Sequence, residues 1–285
     1  MKNQRICIIG DGLTGLTTCL ALKNLNIDID FYSVNKATNK SDKRITAISD
    51  SNYNFLKEVD KKISNKIFWP CNKIQLYHED NNSLKNFLNF EEKSKKLMHI
   101  FENSKFKKEL YKQLKTKNIK FKNKIVKIID PLKGNIIIDK TKISYDLIIL
   151  CLGSQSPIYN SVFKKRSIKK DYSEIAITGY INHKDSIKNP AQYFLKEGPL
   201  AILPFSKKSF SFVWSLNKKY YKSNEKNLKN LALKKISSLF KSKSSFKISE
   251  LQSYPIYLNL RSQYFKNNTL ILGEGLHSIH PIAGQ

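Results

Sequence analysis

Arginine is almost missing from this strongly basic chain. Of 51 Lys and Arg residues set against 23 Asp and Glu, four are arginine (Arg5, Arg44, Arg166 and Arg261), and the net charge is +28. Nucleic-acid recognition leans on arginine forks gathered on one face, where they grip phosphates and base edges. Here lysine is spread along the whole chain with abundant Asn and Ile, which reads as AT-rich coding rather than a selected patch. A nucleic-acid partner is therefore not expected, and the lysines suit at most a weak attraction to anionic lipid headgroups. Cysteine is scarce as well. Cys7, Cys19, Cys71 and Cys151 show no C-x-x-C spacing and read as small buried residues in a reducing compartment. Ten Gly and eight Pro are too few for a collagen-like or low-complexity chain, and 40% hydrophobic residues are too many for a disordered one. No apolar run approaches the roughly 20 residues of a membrane span. No apolar h-region or cleavage site opens the chain, so a secretory signal is not expected and a cytoplasmic or cytoplasm-facing location is.

What is present is a patterned α/β chain. Residues 5–9 (Arg-Ile-Cys-Ile-Ile) form an apolar run suited to a buried parallel strand. It feeds Gly10-Asp11-Gly12-Leu13-Thr14-Gly15, then a helical stretch from Leu16 to Asn24 with Leu16, Leu20 and Leu25 at helical spacing. Ile27–Tyr32 alternates as a second strand. Strand, glycines, helix and strand within about 30 residues is the context that makes G-x-G-x-x-G a dinucleotide signal. Helices are expected over 50–60 (Phe55, Leu56 and Val59 on one face) and 103–117 (Phe106, Leu110 and Leu114). Strands are expected at Lys73–His78, Ile119–Ile129, Asn135–Asp139 and Tyr145–Gly153. Longer β segments follow at Glu174–Asn182, Leu200–Pro204 and Ser209–Leu216, then an amphipathic helix Glu225–Lys241 and a strand Thr269–Leu272. The expected fold is α/β: a Rossmann-like nucleotide-binding domain with an inserted β-rich domain. The divisions fall at 1–155, 156–257 and a return over 258–285. Trp69 and Trp214 read as core.

Several blocks, in order, resemble the FAD-dependent aromatic-ring monooxygenases of the ubiquinone-biosynthesis hydroxylase family. They are Gly10–Gly15; Arg44-Ile45-Thr46-Ala47-Ile48-Ser49 (R-x-x-A-[LI]-S); Ile100-Phe101-Glu102-Asn103 (H-I-x-E-N); Gly198–Pro204 (G-P-x-A-x-L-P) with Val213-Trp214-Ser215; and Gly273–Gln285 (G-D-A-A-H-x-x-H-P-x-A-G-Q-G). The resemblance implies FAD held by Gly10, Gly12, Leu13, Thr14, Gly15, Ser33, Arg44, Gly153, Gly273, Glu274, Pro281, Gly284 and Gln285. It also implies NAD(P)H as co-substrate, molecular oxygen, and a prenylated phenol or quinone precursor met at the inner face of a membrane. The substrate would lie against the sheet between Glu174 and Trp214. His277 and His280 read as a loop pair of the flavin motif rather than metal ligands, and no catalytic side chain is assigned.

The chain departs from the family pattern at the cofactor. Ser33 stands where an acid ends the second strand, and Ser104 where an arginine follows Glu102-Asn103. Leu152 and Tyr159 replace the acid and arginine of D-G-x-x-S-x-x-R, and Glu274 lengthens the G-D pair. The chain stops at Gln285 inside the last block, so an incomplete flavin pocket is expected. Two other readings follow from these departures: a non-catalytic paralogue serving as partner subunit in a quinone-synthesis complex, and a flavin-dependent reductase.

Overall fold

The computed structural model describes residues 3–33, 42, 44–81, 83–163, 167–184, 187–240 and 246–280. The strand Gln4–Ile9 lies inside a six-stranded sheet. Ile27–Tyr32 and Ile119–Lys122 extend it on one side, and Leu147–Leu150, Thr269–Ile271 and Phe265–Lys266 on the other. All pairings are parallel except that of the edge strand Phe265–Lys266. A parallel sheet is covered on both faces, which explains its apolar runs. On one face Leu16, Cys19 and Leu20 of the first helix (Leu13–Leu22) pack with Ile6, Ile8 and Ile29. On the other, Cys7, Ile9 and Leu150 pack against Ile129, Ile136 and Tyr159. The first helix stops at Leu22, and Leu25, expected on its apolar stripe, is 54% exposed.

The expected strand Ile119–Ile129 is two strands. Ile119–Lys122 edges the parallel sheet, while Ile128–Asp130 joins Asn135–Ile138 and Thr141–Ser144 in a separate antiparallel sheet. The exposed Lys122-Asn123-Lys124 between them carries no core face. Helices form at Asp50–Val59 and Asn103–Gln113. Ser49 caps the first of these by accepting the Asn52 amide. Its inward residue is Leu56, and Phe55 faces solvent.

The β-rich part is built on the 15-residue strand Ile168–Asn182, flanked by Ser209–Asn217 and Gln252–Leu260. Gly198–Ser206 and Ala191–Leu195 continue the sheet, and Lys73–Asp80 and Ser83–Glu91 complete that edge. These last two strands come from the segment expected to lie with the nucleotide-binding part. Period-2 alternation divides the two faces of the sheet. Ile177, Phe212, Trp214 and Ile202 point toward the helix Leu228–Leu239 and bury Leu228, Ala232 and Ile236. The helix expected at Glu225–Lys241 opens with a 3-10 turn, Glu225–Asn227, and is preceded by a short helix, Lys218–Asn224, that was not expected; Lys241 lies outside the described residues. The opposite face meets a three-stranded sheet of Ile45–Ser49, Met98–Glu102 and Phe68–Cys71 through Leu203, Ile45, Cys71 and Ile100. Trp214 is 1% exposed and donates its indole N–H to the Gly198 carbonyl, so it is core.

Candidate functional site

In an open parallel sheet, ligands bind beyond the carboxyl ends of the strands where the strand order reverses. Here that point lies between Gln4–Ile9 and Leu147–Leu150, which pair as far as Ile9 opposite Leu150. The loops leaving both strands, and the loop leaving Thr269–Ile271, enclose a cavity of about 520 Å³. Gly12, Leu13, Thr14, Cys151, Gly153, Leu272 and Glu274 line this side. Across from them are Ala176, Thr178, Val213 and Tyr254 of the large sheet, with Asp42, Arg44, Ile45, Thr46, Asn103 and Lys107 between.

The glycines divide by task. A Cβ on Gly10 would stand 2.0 Å from the Cys151 carbonyl oxygen, and one on Gly15 would stand 1.9 Å from that of Gly10. These two allow the turn and the seating of the helix. Gly12 and Gly153 have nothing within 4 Å of that position, so both leave the cavity open to a ligand. The first helix starts at Leu13 with no acid in its first turn and directs its amides at this opening. Gly273, at φ +73°, packs where a side chain would strike Thr14, and so sets Glu274 at the rim.

Two motifs 50 residues apart in sequence become one structure. Ile45–Ser49 pairs antiparallel with Met98–Glu102, placing Ile45 opposite Glu102. Arg44 forks onto Asp42 through Nε (2.9 Å) and Nη2 (2.8 Å). Asn103 donates to Asp42 at 3.2 Å and accepts the Thr46 hydroxyl at 2.6 Å. Burial pushes the Asp42 carboxyl up, but the Arg44 fork and Asn103 outweigh it and hold it below the usual range. Arg44 is raised above its ordinary value by the Asp42 hydrogen bond, against burial, with Glu274 adding to the effect.

At Leu152 and Tyr159, where the resembled motif has an acid and an arginine, the chain makes a different clamp. Tyr159 is fully buried, and its hydroxyl accepts the Leu152 amide at 3.1 Å. A Cβ on Gly275 would come within 2.0 Å of that oxygen. The Arg261 guanidinium lies 4.9 Å over the Tyr159 ring and donates through Nε to the Gly275 carbonyl at 2.9 Å. The 152–153 and 273–275 loops are thus tied together behind the cavity.

Of the residues expected at a cofactor, Gly12, Leu13, Thr14, Arg44, Gly153 and Glu274 line the cavity, while Gly10, Gly15 and Gly273 shape it from behind. Ser33 ends the second strand, where its amide donates to Lys122, and is not in the lining. Pro281, Gly284 and Gln285 lie outside the described residues. Sequence reading missed Asp42, Lys107 and Tyr254, which carry no motif of their own. His280 bonds Glu174 at 2.8 Å beside a bulge in Ile168–Asn182. A roomier cavity, about 950 Å³, lies between the large sheet and the helix Leu228–Leu239. Lys235 in its wall lies within 3.1 Å of both Glu79 and Glu197, and no strand-end glycine opens into it. The smaller cavity is therefore the candidate site.

No family model matches the chain. It is similar to a mitochondrial ubiquinone biosynthesis monooxygenase COQ6 from Danio rerio, at 22% identity over 270 residues, covering 76% of this chain and 55% of the relative. Among solved structures it is similar to the flavin-dependent halogenase CmlS, with TM-score 0.81 and 14% identity over 100% of this chain and 55% of that one. It is likewise similar to PqsL, a probable FAD-dependent monooxygenase from Pseudomonas aeruginosa, with TM-score 0.81 and 11% identity over 100% of this chain and 82% of that one. The chain spans about half the length of the curated relative and of the halogenase. It has the fold shared by FAD-dependent monooxygenases and flavin-dependent halogenases.

Proposed function

We propose that this chain carries the FAD site and a substrate wall of a flavin-dependent monooxygenase that hydroxylates an aromatic ring of a prenylated quinone precursor in ubiquinone biosynthesis. The observation that carries the reading is one cavity with two unlike walls. Strand-end glycines open it on one side, and the sheet residues Ala176, Thr178, Val213 and Tyr254 close it on the other. The similarity to the ubiquinone biosynthesis monooxygenase supports the substrate class. The proposed divisions are 1–155, 156–257 and 258–285, with Lys73–Asp80 and Ser83–Glu91 lent to the substrate sheet.

The residues present fit FAD. Gly12 and Gly153 leave room where a side chain would fill the cradle, and a helix with no acid in its first turn faces it. FAD, when bound, would supply the redox chemistry by which an aromatic C–H, oxygen, NAD(P)H and a proton yield the hydroxylated ring, NAD(P)⁺ and water. Gly12, Leu13 and Thr14 would present backbone amides to the diphosphate, and Glu274 would accept hydrogen bonds from the ribityl hydroxyls. Arg44, held by Asp42 and Asn103, keeps a fixed positive charge at the cavity. The apolar side chains of Ala176 and Val213 would exclude water from the ring face. Gly10, Gly15 and Gly273 support this geometry from behind, and Ser33, Pro281, Gly284 and Gln285 remain in the proposed set. Among the described residues no helix is long and apolar enough to cross a membrane. A cytoplasmic protein touching the inner face of the membrane through scattered lysines suits the prenylated substrate.

The replacement of the usual acid and arginine by Leu152 and Tyr159 favours one rival, a non-catalytic partner subunit in a quinone-synthesis complex. The visible spectrum of the purified full chain separates them. Stoichiometric FAD, followed by incorporation of ¹⁸O from oxygen into a prenylated phenol, is the expected result. A folded protein that takes up no flavin on reconstitution refutes the monooxygenase reading.

A further inference from the structure

Lys107 belongs to no motif, yet it reaches the mouth of the glycine cradle. It lies on the helix Asn103–Gln113, nearly one turn beyond Ser104, where the family resemblance places an arginine. Its side chain lines the cavity beside Gly12, Leu13 and Thr14, and its Nζ is 3.1 Å from the Asp11 carboxylate. Asp11 sits between Gly10 and Gly12, so an acid occupies the loop that would receive a diphosphate. Both side chains are partly open to solvent, at 35% and 28%. The Lys107 ammonium has three donors and is not consumed by one carboxylate.

We propose that Lys107 is the cation that receives the diphosphate of the dinucleotide, and that Asp11 is an internal anion that positions Lys107 and holds the affinity down. This deepens the flavin reading and rests on it for the identity of the ligand. Two charge effects act at this point. The lysine attracts a diphosphate through charge-assisted hydrogen bonds, which are about twice as strong as neutral ones. The carboxylate repels the same group and shares the ammonium. The other cation in the lining, Arg44, is forked onto Asp42, whereas Lys107 is bonded to the glycine loop itself through Asp11.

The test uses the full chain and four variants, Lys107→Met, Lys107→Arg, Asp11→Asn and the double variant Asp11→Asn/Lys107→Met. Two probes are used: FAD by quenching of flavin fluorescence, and inorganic pyrophosphate by calorimetry. An exposed ion pair adds at most about 1 kcal/mol to stability, so all four variants are expected to fold, which thermal unfolding checks. Lys107→Met is expected to weaken both ligands about ten-fold and to flatten the dependence of affinity on KCl. Lys107→Arg stays within about three-fold of the parent, and Asp11→Asn binds about three-fold tighter. The double variant recovers part of the loss because the bare carboxylate is gone. Unchanged affinity and salt dependence in Lys107→Met overturn the assignment even where the parent binds FAD. A parent that binds pyrophosphate with this pattern but not FAD upholds Lys107 and overturns the flavin reading, and a parent that binds neither overturns both.

Discussion

Replacing Tyr159 with phenylalanine removes one oxygen from the centre of the fold. That hydroxyl accepts the Leu152 amide at 3.1 Å, in a side chain with no exposed surface. Burial pushes the phenol up to about 12 despite the Leu152 amide, so it stays neutral through the working pH range. The ring of the variant still fills its site and still carries the Arg261 guanidinium 4.9 Å above it. The lost quantity is therefore the hydrogen bond alone, together with the desolvation of the stranded Leu152 amide. Leaving a buried donor without its partner costs about 1–3 kcal/mol. Per kcal/mol a chain of this size loses about 2–4 °C, so Tm is expected to fall by roughly 2–12 °C. Urea unfolding should show a lower midpoint with an unchanged slope, and the Leu152 amide should exchange faster with deuterium. Gly275→Ala attacks the same contact from the other loop, since its Cβ would stand 2.0 Å from the Tyr159 oxygen. It should cost at least as much as overpacking generally does, about 1–3 kcal/mol. A Tyr159→Phe protein within about 0.5 kcal/mol of the parent, with the Leu152 amide equally protected, would refute the clamp.

Gly12→Ala and Gly15→Ala should differ in kind. The first is expected to change stability by under about 1 kcal/mol while weakening FAD binding, because its Cβ enters open cavity. The second, 1.9 Å from the Gly10 carbonyl oxygen, should destabilise by about 3 kcal/mol or more, and equal melting temperatures would contradict this division. All four cysteines are buried, and burial raises Cys19, Cys71 and Cys151 to about 12 and Cys7 well above its ordinary value. A thiol reagent at pH 8 should label none in the native protein and four after unfolding, counted by mass; rapid native labelling would count against this packing. Burial raises Asp60, but the Lys23 ammonium and the Lys62 amide outweigh it and leave it below the usual carboxylate range. A depressed pKa contributes stability above the unfolded value, about 3.9, that is lost as pH falls through the folded one. Asp60→Asn should lose stability at pH 7 but little at pH 2, and an equal loss at both would exclude the charge as the cause.

The strand, glycine loop and helix at the N-terminus were legible because each rests on neighbours in sequence. An apolar run, a G-x-G-x-x-G turn and Leu16 and Leu20 at helical spacing need no distant partner. Leu25 and Phe55 misled because periodicity marks an apolar stripe but not where a helix stops or how wide its buried face is. Lys73–Asp80 and Ser83–Glu91 alternate like strands of any sheet, and only pairing with Ala191–Leu195 assigned them to the large one. Lys107 gave no signal because a lone lysine among many has meaning only by where its helix points it.

Local chemistry in the sequence determined the dinucleotide-type turn, the parallel strands around it and the buried, unpaired cysteines, since these follow from residue type and short spacing. The tertiary structure alone decided which distant segments share the cavity. It set Arg44 beside Asn103, Lys107 beside Asp11, and Tyr159 beneath Arg261 and against Gly275. Those contacts join residues up to 116 positions apart, as Tyr159 and Gly275 are. Packing of the two sheets and the helices fixes such distances, and no local propensity encodes them.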